Sequence, residues 1–277
     1  MILKTSKSDG TIEKFANILN SETACERVTK EFEDNLESRL STLTEKERDY
    51  FMLMHSKSGV LYIKSKPGIA KSQKAKAIAT KLGMRYLDIR LSMIDETDVG
   101  LFPDKSSITV NGITYKFLEH IITKWAFEAN MIPTLIHFEE LNRASLPVRN
   151  AALQLLLERC VGTAFEFNDN VYMMSSGNLG DEDGTDVEEF DAALNNRLIH
   201  VEHDLTFKEW VDDFAKDNVC PQIIKFLDVN PDMFYQPPTS TSHAYATARS
   251  WTFLSDYIKA NFSKIELTLS GSSIIPI

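Results

Sequence analysis

Apolar and polar positions follow two different periods along this chain. From Val60 onward, short apolar runs recur: Val60-Leu61-Tyr62-Ile63, Arg85–Leu91, Thr134-Leu135-Ile136-His137-Phe138, Val171–Ser175 and Leu198–Val201. Runs of this length, bounded by turn residues, read as strands, and the unbroken ones as strands buried on both faces. Between them the spacing is helical. Ala75, Ile78, Ala79 and Leu82 mark one face of a helix over Ser72–Leu82, with Gly83 as its C-terminal stop. Leu118, Ile121, Ile122 and Trp125 predict another helix, and Val148, Ala152, Leu155 and Leu156 a third, capped by Ser145. Asn111-Gly112 within Ile108–Tyr115 predicts a hairpin turn, and Thr163–Val171 a second short hairpin. Repeated strand–helix units predict an α/β fold with a mostly parallel sheet covered on both faces.

The two ends read differently. Residues up to about Asp49 are polar and helix-prone, with no Pro and only Gly10, and predict one or two amphipathic helices with Phe15, Ile18 and Leu19 on a small apolar face. After Asp204 the pattern turns helical. Thr206 and Glu209 form a capping-box pair that Leu205 and Trp210 would staple. Ile223, Ile224, Phe226 and Leu227 predict a second helix there, and Trp251, Leu254, Tyr257 and Ile258 a third, with Pro237-Pro238 and Thr239–Ser242 in a loop between. The chain thus divides into a helical extension (1–49), an α/β domain (50–203) and a small all-helical domain with a C-terminal tail (204–277).

At 277 residues, 43% hydrophobic and 25% charged, the composition suits a globular protein of this organisation. The net charge of −10 opposes binding to a polyanion, which makes a nucleic-acid partner the weaker expectation. Cys25, Cys160 and Cys220 are far apart, fit no metal-ligand spacing and read as reduced thiols. The N-terminal residues hold no apolar core of signal-peptide length, and no window approaches the roughly 18 apolar residues of a membrane span. A cytoplasmic location with no membrane contact is the expectation.

Two stretches carry chemistry. Ser65-Lys66-Pro67-Gly68-Ile69-Ala70-Lys71-Ser72 follows a buried strand and opens a helix, which is the setting of a phosphate loop. There, backbone N–H groups and the helix N-terminus would hold phosphates, Lys71 would reach the β- and γ-phosphates and the Ser72 hydroxyl would bind Mg²⁺. Ser65 and Ala70 stand where the usual G-x-x-x-x-G-K-[ST] pattern has glycines, so an ordinary strand–loop–helix turn stays open as the other reading. Downstream, Leu135-Ile136-His137-Phe138-Glu139-Glu140 ends an apolar strand in two carboxylates. Glu139 would hold hydrated Mg²⁺ and Glu140 would polarise the attacking water; a solvated acidic turn is the alternative.

Together these stretches carry a resemblance. Pro67–Ser72, Glu139-Glu140-Leu141-Asn142-Arg143-Ala144, Gln154-Leu155-Leu156-Leu157-Glu158-Arg159, Ser176-Gly177-Asn178, Asp191-Ala192-Ala193-Leu194-Asn195-Asn196-Arg197 and Ala248-Arg249-Ser250-Trp251 resemble, in order and spacing, the MoxR-type branch of the AAA+ ATPases, known in bacteria and tailed phages. The resemblance covers about Gly59 to Tyr257. It implies a three-layer P-loop AAA+ domain followed by a helical lid, with ATP and Mg²⁺ as ligands bound by Ser65–Ser72. Asn178 would orient water as the sensor-1 residue, Arg197 would be the arginine finger entering a neighbour's site, and Arg249 the lid's sensor-2 arginine. Arg143 falls where the branch has a residue near the subunit interface. The Ile108–Tyr115 hairpin falls at an insertion facing the ring pore, and Phe165–Asn170 at the pre-sensor insertion.

By the same resemblance the chain would assemble into a ring, a hexamer, and remodel a partner protein, with von Willebrand factor A domain proteins as the partner class; its location would be the host cytoplasm if phage-encoded. The altered glycines and the Glu at position 139 leave a second reading, a hydrolysis-deficient ring subunit acting as a scaffold. His200-x-x-His203 is no metal pair on a strand, where the two rings would fall on opposite faces. His137 reads as a packed histidine. Asp181–Asp191, with seven carboxylates and no basic residue, reads as a solvated loop.

Overall fold

The computed structural model describes residues 21–57, 59–100, 102–161, 165–180, 187–236 and 245–261. The expected apolar face at Phe15, Ile18 and Leu19, the Pro237–Ser242 loop, residues 181–186 of the acidic loop and the tail beyond 261 lie outside the described residues. So does Thr163.

The backbone contains two compact units. Among the described residues, the first takes those within 21–62, 72–177 and 189–200, and the second those within 63–71, 178–188 and 201–261. The polar N-terminal stretch is helical where it is described. Helix α1 (Glu22–Leu40) starts at Ser21, whose hydroxyl accepts from Ala24 N. Helix α2 (Glu45–Ser56) starts with a capping box of Thr44 and Glu47.

A five-stranded sheet follows, built from β1 (Val60–Ser65), β2 (Arg85–Arg90), β5 (Thr134–Glu139), β8 (Val171–Asn178) and β9 (Leu198–Glu202), in the order β2-β5-β8-β1-β9. β5 runs parallel to both β2 and β8, and every residue of β5 and β8 is buried, as their apolar sequence requires. The expected α/β architecture with a mostly parallel sheet is the one observed.

Strand alternation distributes the first unit's core over two faces. On one, Tyr62, Leu87, Ile89, Ile136, Phe138, Val171 and Met173 pack with α6 (Leu146–Glu158) through Val148, Ala152, Leu155 and Leu156. On the other, Tyr172 meets Phe32 of α1 and Phe51 of α2, with ring centroids 6.1 and 5.1 Å away. Helix α3 (Lys71–Leu82) buries Ala75, Ile78, Ala79 and Leu82, the face its spacing predicts. It stops at Gly83, which has φ +75°, and a Cβ there would run into the Arg39 guanidinium.

The Glu47 side chain of α2 is buried against two lysines of α3, Lys81 at 2.7 Å and Lys74 at 3.6 Å. Burial alone would raise its carboxyl, but the Lys81 hydrogen bond, the Thr44 backbone N–H and Lys74 outweigh it and hold the group below the ordinary range. A depressed carboxyl contributes stability above its unfolded pKa and loses it as pH falls through the folded one. Glu47→Gln should therefore cost about 2–3 kcal/mol near neutral pH, since it leaves two half-buried ammonium groups without their carboxylate. Denaturant titration of both proteins should show this difference shrinking below about pH 4. A gap that persists in acid would show that the charge is not its source.

Three local expectations are corrected. Leu118 and Ile121 lie on a strand, not a helix: β3 (Phe102–Val110) and β4 (Ile113–Ile121) form a long antiparallel ribbon, and the helix, α5, spans only Lys124–Ala129. Asn111 and Gly112 both have positive φ, 51° and 79°, the turn that matches strand twist and lets pairing run back to Phe102↔Ile121. Helical spacing misled here because the ribbon's large apolar side chains are exposed and no burial enforces a helix; Leu118 is 71% exposed. Ser145 occupies the N-cap of α6 without a side-chain bond, and Pro147 in the first turn removes one of the N–H groups a cap would serve. The second hairpin is shorter than predicted, Cys160–Val161 pairing with Phe165–Glu166, and Val171 belongs to the central sheet.

In the second unit, Thr206 and Glu209 form the predicted capping box of α8 (Phe207–Trp210), which continues through a widened turn at Val211–Ala215. Trp210, Phe234, Ile223 and Leu227 of α10 (Pro221–Val229), and Trp251 of α11 (Ala248–Asn261), make a separate core. Leu205 packs against it as a staple residue would. Among the described residues, no helix is long and apolar enough to cross a membrane.

Candidate functional site

In open α/β sheets, side chains at the C-terminal ends of strands are the ones left facing a ligand crevice. Ser65, Arg90, Glu139 and Asn178 occupy those ends here.

Within the second unit, the Ser65–Lys71 loop folds back on itself. Lys71 Nζ donates to the Ser65 carbonyl at 3.2 Å and to Asn178 Oδ1 at 3.0 Å, so the structure brings Lys71 and Asn178 together. Gly68 has φ +77°, and a Cβ there would sit 2.8 Å from Thr247 Oγ1 and 2.9 Å from Thr247 Cβ; only glycine lets the loop lie this close to the start of α11. The Arg249 N–H donates to the Gly68 carbonyl at 3.2 Å, which places Arg249 against the loop by its backbone while its side chain is exposed. Lys66 lies over the Tyr235 ring at 4.9 Å.

Ala70 adopts φ +66°, the left-handed conformation a glycine would take at no steric cost. The loop thus keeps a glycine's backbone shape without the glycine. Ala70→Gly should leave stability unchanged or raise it by up to about 1 kcal/mol, relief of the Cβ clash being offset by unfolded-state entropy. It should also tighten nucleotide binding, because a phosphate can approach the bare backbone. Thermal melts with and without ATP measure both effects. A clearly lower melting temperature would mean that the alanine is not strained.

Within the first unit, Ser72 at the head of α3 donates its hydroxyl to Glu139 Oε1. Glu139 is buried, and its other oxygen, Oε2, accepts from Arg90 Nη2 at 3.0 Å and Arg90 Nε at 3.3 Å. The parallel register makes Arg90 and Glu139 direct cross-strand partners. Glu140 sits in the left-handed region at φ 59°, ψ 39°. Its Oε2 accepts the Ser92 hydroxyl and lies 3.7 Å from Arg143 Nη1, while Oε1 is 4.0 Å from Arg90 Nε. Asp88 lies on the same face. Burial, then the Glu139 carboxylate, pushes the Asp88 carboxyl up to about 7. The residue's outer surface is exposed, so water screens part of that effect while the crowding of carboxylates keeps its direction upward.

His137 is a packed histidine, as its place inside an apolar strand implies. Its Nδ1 lies 2.9 Å from Tyr86 Oη and its Nε2 2.8 Å from Ser176 Oγ. Gly177 is fixed by space: a Cβ would overlap Tyr62 Oη and Asn142 Oδ1.

Arg197 is placed elsewhere. It is exposed and lines a cavity with Lys57, Arg159, Leu156 and Met173, and none of the other candidate residues lines that cavity. His200 stands edge-on to Tyr62 at 5.4 Å, and His203 N donates to Lys64 O. Among the described residues, no group of three or more His, Cys, Asp or Glu is arranged to hold a metal. Sequence reasoning missed Arg90 and Ser92. The available signal was alternation: Asp88 and Arg90 are charged residues on one face of a strand whose other face, Leu87 and Ile89, is apolar.

No protein-family profile matches this chain, and no curated protein matches it. Among solved structures, a Cytophaga hutchinsonii protein described as a candidate ATPase aligns with 74% of this chain and 58% of its own, at 14% identity and a TM-score of 0.40. The chain therefore spans less than two thirds of that neighbour. At this identity and score the likeness carries no functional information.

Proposed function

We propose that this chain binds ATP through Ser65–Ser72 and hydrolyses it as a subunit of a MoxR-type AAA+ ring that remodels a partner protein. The observation that carries the reading is the convergence of Ser72 on Glu139 at the end of β5, with Lys71, the preceding residue, turned onto Asn178. A strand–loop–helix turn without a ligand has no need to set a serine on a buried carboxylate, or a lysine on an asparagine at a strand end.

Each residue has a task in this reading. Lys71 and the loop N–H groups bind phosphate, and Gly68 and Ala70 shape the loop for it. Ser72 Oγ and Glu139 Oε1 fit Mg²⁺ as hard oxygen donors already in contact, and would hold it. When bound, the ion withdraws charge from phosphate oxygens. Glu140 orients and deprotonates the attacking water, and Asn178 holds that water against the terminal phosphate. Arg249, joined to the loop through Gly68, reaches the nucleotide from α11, and Arg197 serves a neighbouring subunit's site. The exposed ribbon, with Phe102, Ile108, Val110, Ile113, Tyr115 and Phe117 on one face, offers an apolar contact surface to the partner, for which a von Willebrand factor A domain protein is the class implied by resemblance. The net charge of −10 favours a protein over a nucleic acid.

One observation favours the second reading, an assembling subunit without turnover: Glu140 is tied to Ser92 and lies within reach of Arg143 and Arg90. Steady-state hydrolysis measured alongside native mass, across protein concentrations, separates the two. Turnover per chain should rise as the ring forms, because Arg197 arrives from a neighbour. An assembled ring saturated with ATP and showing no turnover would leave only the scaffold.

A further inference from the structure

Magnesium takes octahedral oxygen coordination at about 2.0–2.1 Å and is held in nucleotide sites through one or two carboxylates, to which it brings positive charge. Glu139 already holds a cation, Arg90. Both N–H-bearing atoms of the Arg90 fork that reach it, Nε and Nη2, converge on the single oxygen Oε2, and the Ser72 hydroxyl takes Oε1. The Glu139 side chain is 6% exposed, so the pair acts through a medium that screens less than water, whereas Arg90 is 47% exposed and open on its outer side. The contact is built by the fold, since cross-strand register sets Arg90 beside Glu139. The guanidinium also lies 4.0 Å from Glu140 Oε1 and shares a strand face with Asp88, so one cation stands beside two carboxylates and a third carboxyl group. A guanidinium has five N–H donors in a planar fork suited to phosphate, and the Glu139 contact uses only part of them.

We propose that Arg90 is the resident cation of this site: it gives Glu139 the positive charge a divalent metal otherwise gives and presents its outer donors to phosphate, so that nucleotide binds without metal. The inference rests on the nucleotide reading above. It assigns Arg90 to binding and leaves open to the metal whatever it adds in turnover.

Calorimetric titration of ATP into the full chain, in excess EDTA and in excess magnesium chloride, tests it. For the wild type the two dissociation constants should agree within about threefold, the resident charge making the metal's contribution small. Arg90→Gln should bind about tenfold or more weakly in EDTA and recover in magnesium, having lost one charge-assisted contact that the metal then replaces. Arg90→Lys, a cation with fewer donors, should fall between. The idea is overturned if wild-type affinity drops tenfold in EDTA, or if Arg90→Gln responds to EDTA no more than the wild type does. Binding seen only with magnesium removes this inference and spares the nucleotide reading; no binding in either buffer removes both. Should Arg90→Gln fail to melt cooperatively, the wild-type comparison decides by itself.

Discussion

Lys71→Ala will weaken ATP binding by about 10- to 100-fold, the worth of one charge-assisted hydrogen bond to phosphate in a partly enclosed loop. Its bonds to Ser65 O and Asn178 Oδ1 are to neutral oxygens, and a phosphate anion offers its ammonium more than either. The fold itself should hardly notice. A bond to a neutral acceptor is worth about 0.5–1.5 kcal/mol, and the variant should keep its cooperative melt. Lys71→Met, which keeps the stem and loses the charge, should behave like alanine if charge is what matters. Titration with ATP, followed by calorimetry or by the shift in melting temperature, measures the loss. Unchanged affinity would make Ser65–Ser72 a structural turn, and the nucleotide reading would fall.

Glu140→Gln is expected to act on the opposite quantity. Removing a general base typically slows a reaction by about 10²–10⁴-fold, while Gln keeps the length and a hydrogen-bond acceptor for Ser92. ATP affinity should then stay within a few-fold of wild type as turnover collapses. Glu140 lies in the left-handed region at the end of a buried strand, a conformation costing a non-glycine residue about 1–2 kcal/mol. Steady-state hydrolysis at saturating ATP provides the comparison. If the variant turns over like the wild type, Glu140 is a tethered surface carboxylate and another group activates water. If neither turns over, the tie from Ser92 to Glu140 marks a subunit that binds and assembles only.

Much of the architecture was legible because local chemistry and global packing agree. Buried parallel strands need unbroken apolar runs, and Leu135–Phe138 and Val171–Met174 supply them. Helix α3 shows its buried face in the spacing of Ala75, Ile78, Ala79 and Leu82, and Thr206 with Glu209 announces a helix start through groups only three residues apart. Asn111-Gly112 announces its turn because both residues tolerate positive φ. These signals act over a few residues, which is the range a sequence pattern can report. Where packing did not enforce the pattern, as on the exposed ribbon at Leu118 and Ile121, it misled.

The candidate site divides along the same line. From sequence alone come the residue types: a lysine and a serine opening a helix after a strand, two carboxylates ending another strand, an asparagine ending a third. Only the tertiary structure decided what each touches. It set Lys71 on Asn178, 107 residues apart, and Ser72 on Glu139, 67 residues apart. It also kept a glycine's conformation at Ala70 and stood Arg90 against Glu139, a pairing 49 residues apart that follows from strand register. Local spacing determines which face a side chain occupies, because that depends on backbone period. Its neighbour across the sheet depends on which strands pair and in what register, and that is settled by burial of the whole core.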